Sequence, residues 1–326
     1  MVAPSIFVLI LLFSVGSMAY VYRYRGNSRY ENLGEYLRKG WPIFSPFNCL
    51  LYMFTKKRAR PPIMDTEQFP ELMILQDNWE TIRKEALSLY ENGAFESIGN
   101  PDKASFYDIG FRTFYKFGWS KFYLNWYGGY THASAKRLCP KTVEILKQVP
   151  SVNGAMYSLL PPGSKLTRHL DPAACSLRYH LGLATPNDDS CYIDVDGQKH
   201  SWGDGKALLF DETFIHYANN NSEDFRLILM CDVERPMSFL GKVVNFFYKG
   251  IMPLTVVPNT DEDRRGFANR VFHGLVPLLK KTKNLKNENV WLYKLVKWSI
   301  NTLLLLIIFG ILYGLIQFIS WVFFSG

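Results

Sequence analysis

The chain has 326 residues, 48% of them hydrophobic, with 37 Lys and Arg against 29 Asp and Glu for a net charge of +8. That length holds one sizeable domain with appendages. The positive excess sits beside apolar stretches and no nucleic-acid motif accompanies it, which excludes a nucleic-acid binder; five cysteines without a CxxC pair or framework spacing exclude a disulfide scaffold or zinc module and fit a reducing compartment.

In chain order, Ser5 to Tyr22 is apolar, and about twenty such residues span a bilayer. The segment reads as a retained anchor over residues 1–22 or as a cleaved signal peptide. No Lys or Arg precedes it and Arg23, Arg25 and Arg29 follow, which favours the anchor. Residues 23–64 form a basic juxtamembrane segment in which the apolar Ser45 to Phe54 leads into the basic run Lys56 to Pro62. This is an interfacial helix, or else a helix packed on the domain core. Asp65 to Asn92 repeats Phe69, Leu72, Leu75, Trp79, Ile82, Ala86 and Leu89 at threes and fours before Gly93, predicting one helix; Cys139 to Gln148 predicts a second, started by Pro140 and closed by Pro150. Between them Phe122, Tyr123 and Trp126 lead into Tyr127-Gly128-Gly129-Tyr130, which lines an acyl groove or belongs to the core.

From Gly154 the period changes to that of strands: Gly154 to Leu160, Arg178 to Ala184, Ser190 to Val195, Gln198 to Trp202, Ala207 to Phe210 and Phe225 to Val233, with a hairpin turn at Asp196-Gly197. Short strands with turns about every ten residues predict a mainly β domain with flanking helices over residues 65–236, a double-sheet jelly roll with its ligand at the mouth. Residues 237–298 are amphipathic and basic, with Met237 to Val257 suited either to the membrane surface or to the core. Thr302 to Phe324, within residues 299–326, predicts a C-terminal transmembrane helix, preceded by Lys280, Lys281, Lys283, Lys286, Lys294 and Lys297. Both sets of flanking charges place the central domain in the cytoplasm and both termini outside.

Chemistry concentrates in the strands. His169 and Asp171, two residues apart on an extended segment, point to one face, and His216 arrives from a distant strand. Two imidazoles and one carboxylate suit one face of a six-coordinate iron(II). Arg226 shares a face with Ile228 and Met230, and Arg178 stands in a similar apolar run. A cation facing inward must be paired, and a ligand carboxylate is a natural partner. The plain alternative is a surface turn at Asp171-Pro172 and a satisfied loop histidine at His216. His132, His200 and His273 lack any such context and read as surface residues.

Ser158 to Gly163, His169 to Pro172, Leu177 to Leu183, Trp202 to Asp211, and His216 through Arg226 resemble, in residue and order, the aspartyl/asparaginyl β-hydroxylase family over Glu67 to Pro236. The flanking apolar segments are similar in arrangement to its bacterial lipid A 2-hydroxylase branch. The resemblance implies a cupin-like double-stranded β-helix and an Fe(II)- and 2-oxoglutarate-dependent dioxygenase that consumes O2 and is stimulated by ascorbate. It implies iron at His169, Asp171 and His216, with 2-oxoglutarate at Arg178, His180, Arg226 and Ser158. Peptide-hydroxylating members carry glycine where this chain has Asp171, which favours the lipid branch. The implied activity is C2 hydroxylation of a secondary acyl chain of lipid A at the cytoplasmic face of the bacterial inner membrane, without an obligate protein partner. The alternatives are ornithine lipid, Asp or Asn in peptides, or a membrane-anchored lipid-binding module with a vestigial iron site.

Overall fold

The computed structural model describes residues 2–98, 118–130, 132–271, 273–274, 285, 287–299 and 302, with side chains from Val8 onward. Residues Met1–Arg270 form one compact unit and Val271–Gly326 another. In the second unit residues 290–299 are helical, with Val290, Trp291, Leu295 and Trp298 exposed.

The first unit opens with helices α1 (Val2–Arg23), α2 (Leu33–Lys39) and α3 (Ser45–Phe54), then strand β1 (Ile63–Met64). Helices α4 (Met73–Asp77), α5 (Trp79–Glu91) and α6 (Ala94–Ile98) follow, then β2 (Ser120–Trp126), α7 (Ala133–Leu138) and α8 (Pro140–Lys147). Eight strands come next: β3 (Val152–Leu160), β4 (Lys165–His169), β5 (Ser176–Ala184), β6 (Cys191–Val195), β7 (Gln198–Ser201), β8 (Ala207–Phe210), β9 (His216–Asn220) and β10 (Arg226–Glu234). Helix α9 (Phe239–Ile251) follows them.

The strands form a six-stranded sheet ordered β1-β8-β5-β10-β3-β2 and a four-stranded sheet ordered β4-β9-β6-β7, antiparallel within each. This is the double-sheet architecture the strand spacing predicts. Alternation divides each central strand between two environments. On β10, Leu227, Leu229, Cys231 and Val233 join Leu72, Ile82 and Leu146 of the helical layer in one core, while Ile228 and Met230 join Ile193, Ala218 and Phe210 in a second core between the sheets. Arg226 therefore lies on the inner face, as its phase in the sequence requires. Asp196 and Gly197 both take positive φ, 54° and 85°, the turn geometry that matches the twist of a two-residue hairpin.

Several expectations are corrected. The helix expected over Asp65 to Asn92 is broken: Pro70 opens a short 3-10 turn, and at Asn78 the side chain turns back to donate to the Ile74 carbonyl, 2.9 Å, so α5 starts afresh at Trp79. Of the two readings of the aromatic run before Tyr127, the core one holds: it is strand β2, the edge of the large sheet, with Phe122, Tyr123 and Trp126 buried. His132 is fully buried rather than on the surface, its Nε2 2.8 Å from the Val257 carbonyl and its ring stacked on Tyr123; His200 is exposed.

No helix among the described residues is long and apolar enough to cross a membrane. The N-terminal span expected over Ser5 to Tyr22 is corrected accordingly. From Ser17 onward α1 is committed to protein contacts: Ser17 and Val21 are buried, and the Tyr22 ring lies 5.2 Å from that of Tyr36. A helix docked in this way does not offer the roughly twenty lipid-facing residues a span requires. The C-terminal span expected over Thr302 to Phe324 lies, but for residue 302, outside the described residues.

Candidate metal centre

The end of β4 and the start of β9 meet at His169 and His216, which are register partners across the small sheet with ring centroids 4.3 Å apart. The chain leaves β4 immediately after His169, and the Asp171 amide donates to the Glu212 carbonyl at 2.8 Å, turning the Asp171 side chain toward both rings. One ligand atom from each of His169, Asp171 and His216 lies within 4.8 Å of the others. Among the described residues no other group of His, Cys, Asp and Glu side chains converges so closely. Asp171 Oδ1 is 3.6 Å from His169 Nε2.

Each imidazole is oriented by its own strand. His169 Nδ1 lies 2.7 Å from the Thr167 carbonyl and His216 Nδ1 3.0 Å from the Phe214 carbonyl. A carbonyl only accepts, so the proton of each neutral ring sits on Nδ1 and Nε2 presents its electron pair. Burial, opposed by the Thr167 carbonyl, pushes His169 down to about 4. Burial together with the neighbouring His169 does the same to His216. Both rings are neutral near pH 7, the state a metal ligand needs.

Behind Asp171 lies an acidic clamp around one cation. Arg178 Nη2 donates to Asp171 Oδ2 at 2.8 Å, Arg178 Nε to Glu212 Oε2 at 2.6 Å, and Nη1 lies 3.2 Å from Asp232 Oδ1 without hydrogen-bond alignment. Burial works against the Arg178 charge, but Asp232, Glu212 and Asp171 outweigh it and hold it protonated. The acids carry the opposite strain: burial raises Glu212 to about 7 and Asp232 to about 6, against the pull of Arg178. One guanidinium facing three carboxylates is a site short of positive charge, and a divalent cation at Asp171 supplies what is missing. The residues present therefore fit a metal of the iron(II) type.

The opposite wall of the same cavity holds Arg226, His180 and Ser158. Arg226 is 3% exposed, lies over the Trp202 ring at 4.5 Å, and donates from Nη2 to Ser158 Oγ at 2.9 Å; its Nε has no partner among the described residues. Burial lowers it to about 10, so it remains a cation. Trp119 Nε1 also donates to Ser158 Oγ, 2.7 Å. With two donors on its oxygen, the hydroxyl has its own proton to give. Trp202 Nε1 donates to His180 Nδ1 at 3.3 Å. Burial, reinforced by Arg226 and Arg178, keeps His180 neutral, so its proton sits on Nε2, a buried atom with no acceptor among the described residues. A buried guanidinium, an imidazole N–H and a hydroxyl together make a pocket for a carboxylate.

All seven residues singled out in the sequence thus line one cavity. Arg178 differs from the others expected beside it at the cosubstrate, because its donors are spent on protein carboxylates. Sequence reasoning missed Glu212, Asp232 and Trp119. Asp232 was legible, since it continues the alternation Arg226, Ile228, Met230; Glu212 lies in a loop, where no period announces it.

The scaffold from outside the barrel also reaches the site. Asn48 of α3 accepts from the Ala174 amide, 2.8 Å, and donates to the Pro172 carbonyl, 3.0 Å, fixing the segment after Asp171. On the other approach, the buried Asp211 carboxylate takes Arg235 through both oxygens, 2.6 and 2.8 Å, and Arg25 at 2.8 Å, and it caps Thr213, anchoring the loop that carries His216.

The family described as Aspartyl/Asparaginyl beta-hydroxylase matches residues 76–236. The chain is similar to the ornithine lipid ester-linked acyl 2-hydroxylase of Rhizobium tropici, 31% identical over 195 residues that cover 58% of this chain and 66% of that protein. It is also similar to the human aspartyl/asparaginyl beta-hydroxylase, 32% identical over 167 residues, 50% of this chain and 21% of that one. It therefore spans less than two thirds of the length of either relative. A Pseudomonas putida prolyl-4-hydroxylase superposes with a TM-score of 0.32 at 15% identity, covering 49% of this chain and 87% of the other. Through residues 76–236, this chain belongs to the aspartyl/asparaginyl β-hydroxylase family.

Proposed function

We propose that the chain is an Fe(II)- and 2-oxoglutarate-dependent hydroxylase of an acyl chain on a membrane lipid, acting at C2 of a secondary chain of lipid A. The observation that carries this reading is the division of one cavity into a His169–Asp171–His216 cluster and, opposite it, a carboxylate pocket of Arg226, His180 and Ser158. His169, Asp171 and His216 would hold the iron, and Arg226, His180 and Ser158 the distal carboxylate of 2-oxoglutarate. Bound there, iron and cosubstrate supply the oxidation: O2 is split between succinate, formed with loss of CO2, and the new hydroxyl of the lipid.

The protein's share is placement. Strand β9 sets the His216 ring through the Phe214 carbonyl, and the Arg178 clamp orients Asp171 and balances its charge. Phe210, against both His180 and His216, and Trp202 against Arg226 keep the cavity wall apolar, which would strengthen an ion pair between Arg226 and the cosubstrate carboxylate. Helix α9 exposes Phe239, Leu240, Phe246 and Phe247, a face suited to lie on the cytoplasmic surface of a bacterial inner membrane, the location we infer. The similarity to an ornithine lipid hydroxylase supports ornithine lipid as a second substrate reading.

The test supplies purified full chain with Fe(II), 2-oxoglutarate and dispersed lipid A or ornithine lipid, measuring succinate and the mass of the lipid. One added oxygen on lipid A, abolished by His216→Ala, is expected. Oxygen added only to ornithine lipid refutes the substrate; retained turnover in His216→Ala refutes the metal centre.

A further inference from the structure

The loop that delivers His216 has a second side. Asp211 and Phe214 form the floor of a groove of about 590 Å³ between α1, α3 and the barrel, walled by Phe13, Gly16, Tyr20 and Met53 and lined by Arg25, Arg60 and Arg235. This volume is in the range of small-molecule sites. Among the described residues three guanidinium groups face a single carboxylate there, Asp211. Arg25 and Arg235 each keep a buried Nε–H that meets no acceptor among the described residues. Arg25 is also sandwiched between the rings of Tyr52, 3.6 Å from its centre, and Phe214, 4.0 Å. The mouth continues onto the exposed apolar stretch Val8 to Val15 of α1. A cationic floor under an apolar channel is complementary to an anionic head with an acyl chain attached.

We propose that this groove binds the phosphorylated head group of a lipid, its phosphate against the arginine floor at Arg60 and its chain along Phe13, Gly16 and Met53. This deepens the hydroxylase reading and rests on it in identifying that lipid with the substrate. The excess of two positive charges matches a phosphate dianion and not a zwitterionic head, so it favours a phosphorylated lipid over ornithine lipid. The Phe214 ring forms part of the floor while its carbonyl orients His216, so one residue joins the head-group groove to the metal centre.

The test uses metal-free full chain in amphipol, titrated with dioctanoyl phosphatidic acid, with bound lipid counted by native mass spectrometry. One saturable site is expected, at least tenfold tighter than for dioctanoylglycerol, for inorganic phosphate or for ornithine lipid. Gly16→Phe fills the groove from a position where an added Cβ meets nothing within 4 Å, and Arg60→Glu inverts a charge at an exposed site. Each should weaken phosphatidic acid at least tenfold with Tm and Mn(II) affinity unchanged. Inorganic phosphate binding as tightly as the lipid, dioctanoylglycerol or ornithine lipid matching phosphatidic acid, or indifference to Gly16→Phe each overturns the proposal. Succinate release by the chain loaded with Fe(II) and given 2-oxoglutarate and lipid A, read in a parallel sample, separates the two ideas. Lipid bound without turnover removes the hydroxylase and keeps the groove, whereas turnover with lipid affinity unchanged in Gly16→Phe does the reverse.

Discussion

Replacing Asp211 by Asn is the sharpest test of how the site is held. The side chain is 1% exposed and receives two hydrogen bonds from Arg235, one from Arg25, one from the Thr213 amide and one from the Thr213 hydroxyl. Asparagine preserves the shape and one acceptor oxygen but removes the charge, leaving Arg235, itself 2% exposed, without a counter-ion. Breaking a buried pair in this way costs about 3–5 kcal/mol, chiefly through the cation left behind. At about 2–4 °C per kcal/mol for a domain of this size, Tm should fall by roughly 6–20 °C. The same loop carries His216, so Mn(II) affinity, read by electron paramagnetic resonance, should weaken at least tenfold. Glu262→Gln is the control. Its pair with Arg137 is as short, 2.5 Å, but lies exposed at the surface, and Tm should barely move. A Tm within 2 °C of wild type for Asp211→Asn would refute the claim that this buried network organises the site.

Arg226→Met should raise the apparent Kd for 2-oxoglutarate by a factor of about 30 or more, corresponding to about 2–5 kcal/mol for a desolvated charge pair, with Mn(II) affinity retained in equilibrium titrations; equal affinity in both proteins would remove Arg226 from the cosubstrate pocket. Asn48→Ala leaves the Ala174 amide and Pro172 carbonyl unmet, which should cost about 1–3 kcal/mol in denaturant unfolding and weaken Mn(II) binding; unchanged metal affinity would show that Asp171 does not depend on α3. For pH, His216 titrates near 4 when folded against about 6.5 when unfolded, so the unfolded state binds more protons between these values. The stability contributed by its neutral form is intact above 6.5 and lost as pH falls toward 4. Metal-free His216→Asn should therefore gain in Tm on wild type as the pH drops through that window. A gap between the two that stays constant from pH 7 to 4.5 would contradict a buried, neutral His216.

The strand alternation was written in the residues themselves. The phase of Arg226, Ile228 and Met230 and the Asp196-Gly197 hairpin each depend on a period of two or on local backbone preference, which any local window reveals, whereas Asp171 lies past the end of β4 and is turned to the histidines by its bond to the Glu212 carbonyl. Arg178 was legible for the same reason as Arg226, whereas Ser158 and His180, which line the same cavity, were reached only through the family resemblance. Tertiary structure alone decided what each group is paired with. Arg178 on β5 faces three carboxylates drawn from the turn after β4, the loop between β8 and β9, and β10, while Arg226 meets none among the described residues, although both stand in similar apolar runs. Nor does hydropathy record that the last turns of α1 are docked, or that Arg25 reaches Asp211, 186 residues away. Pairing, desolvation and docking depend on distances across the barrel, and those are fixed only when the two sheets and the helices close around the site.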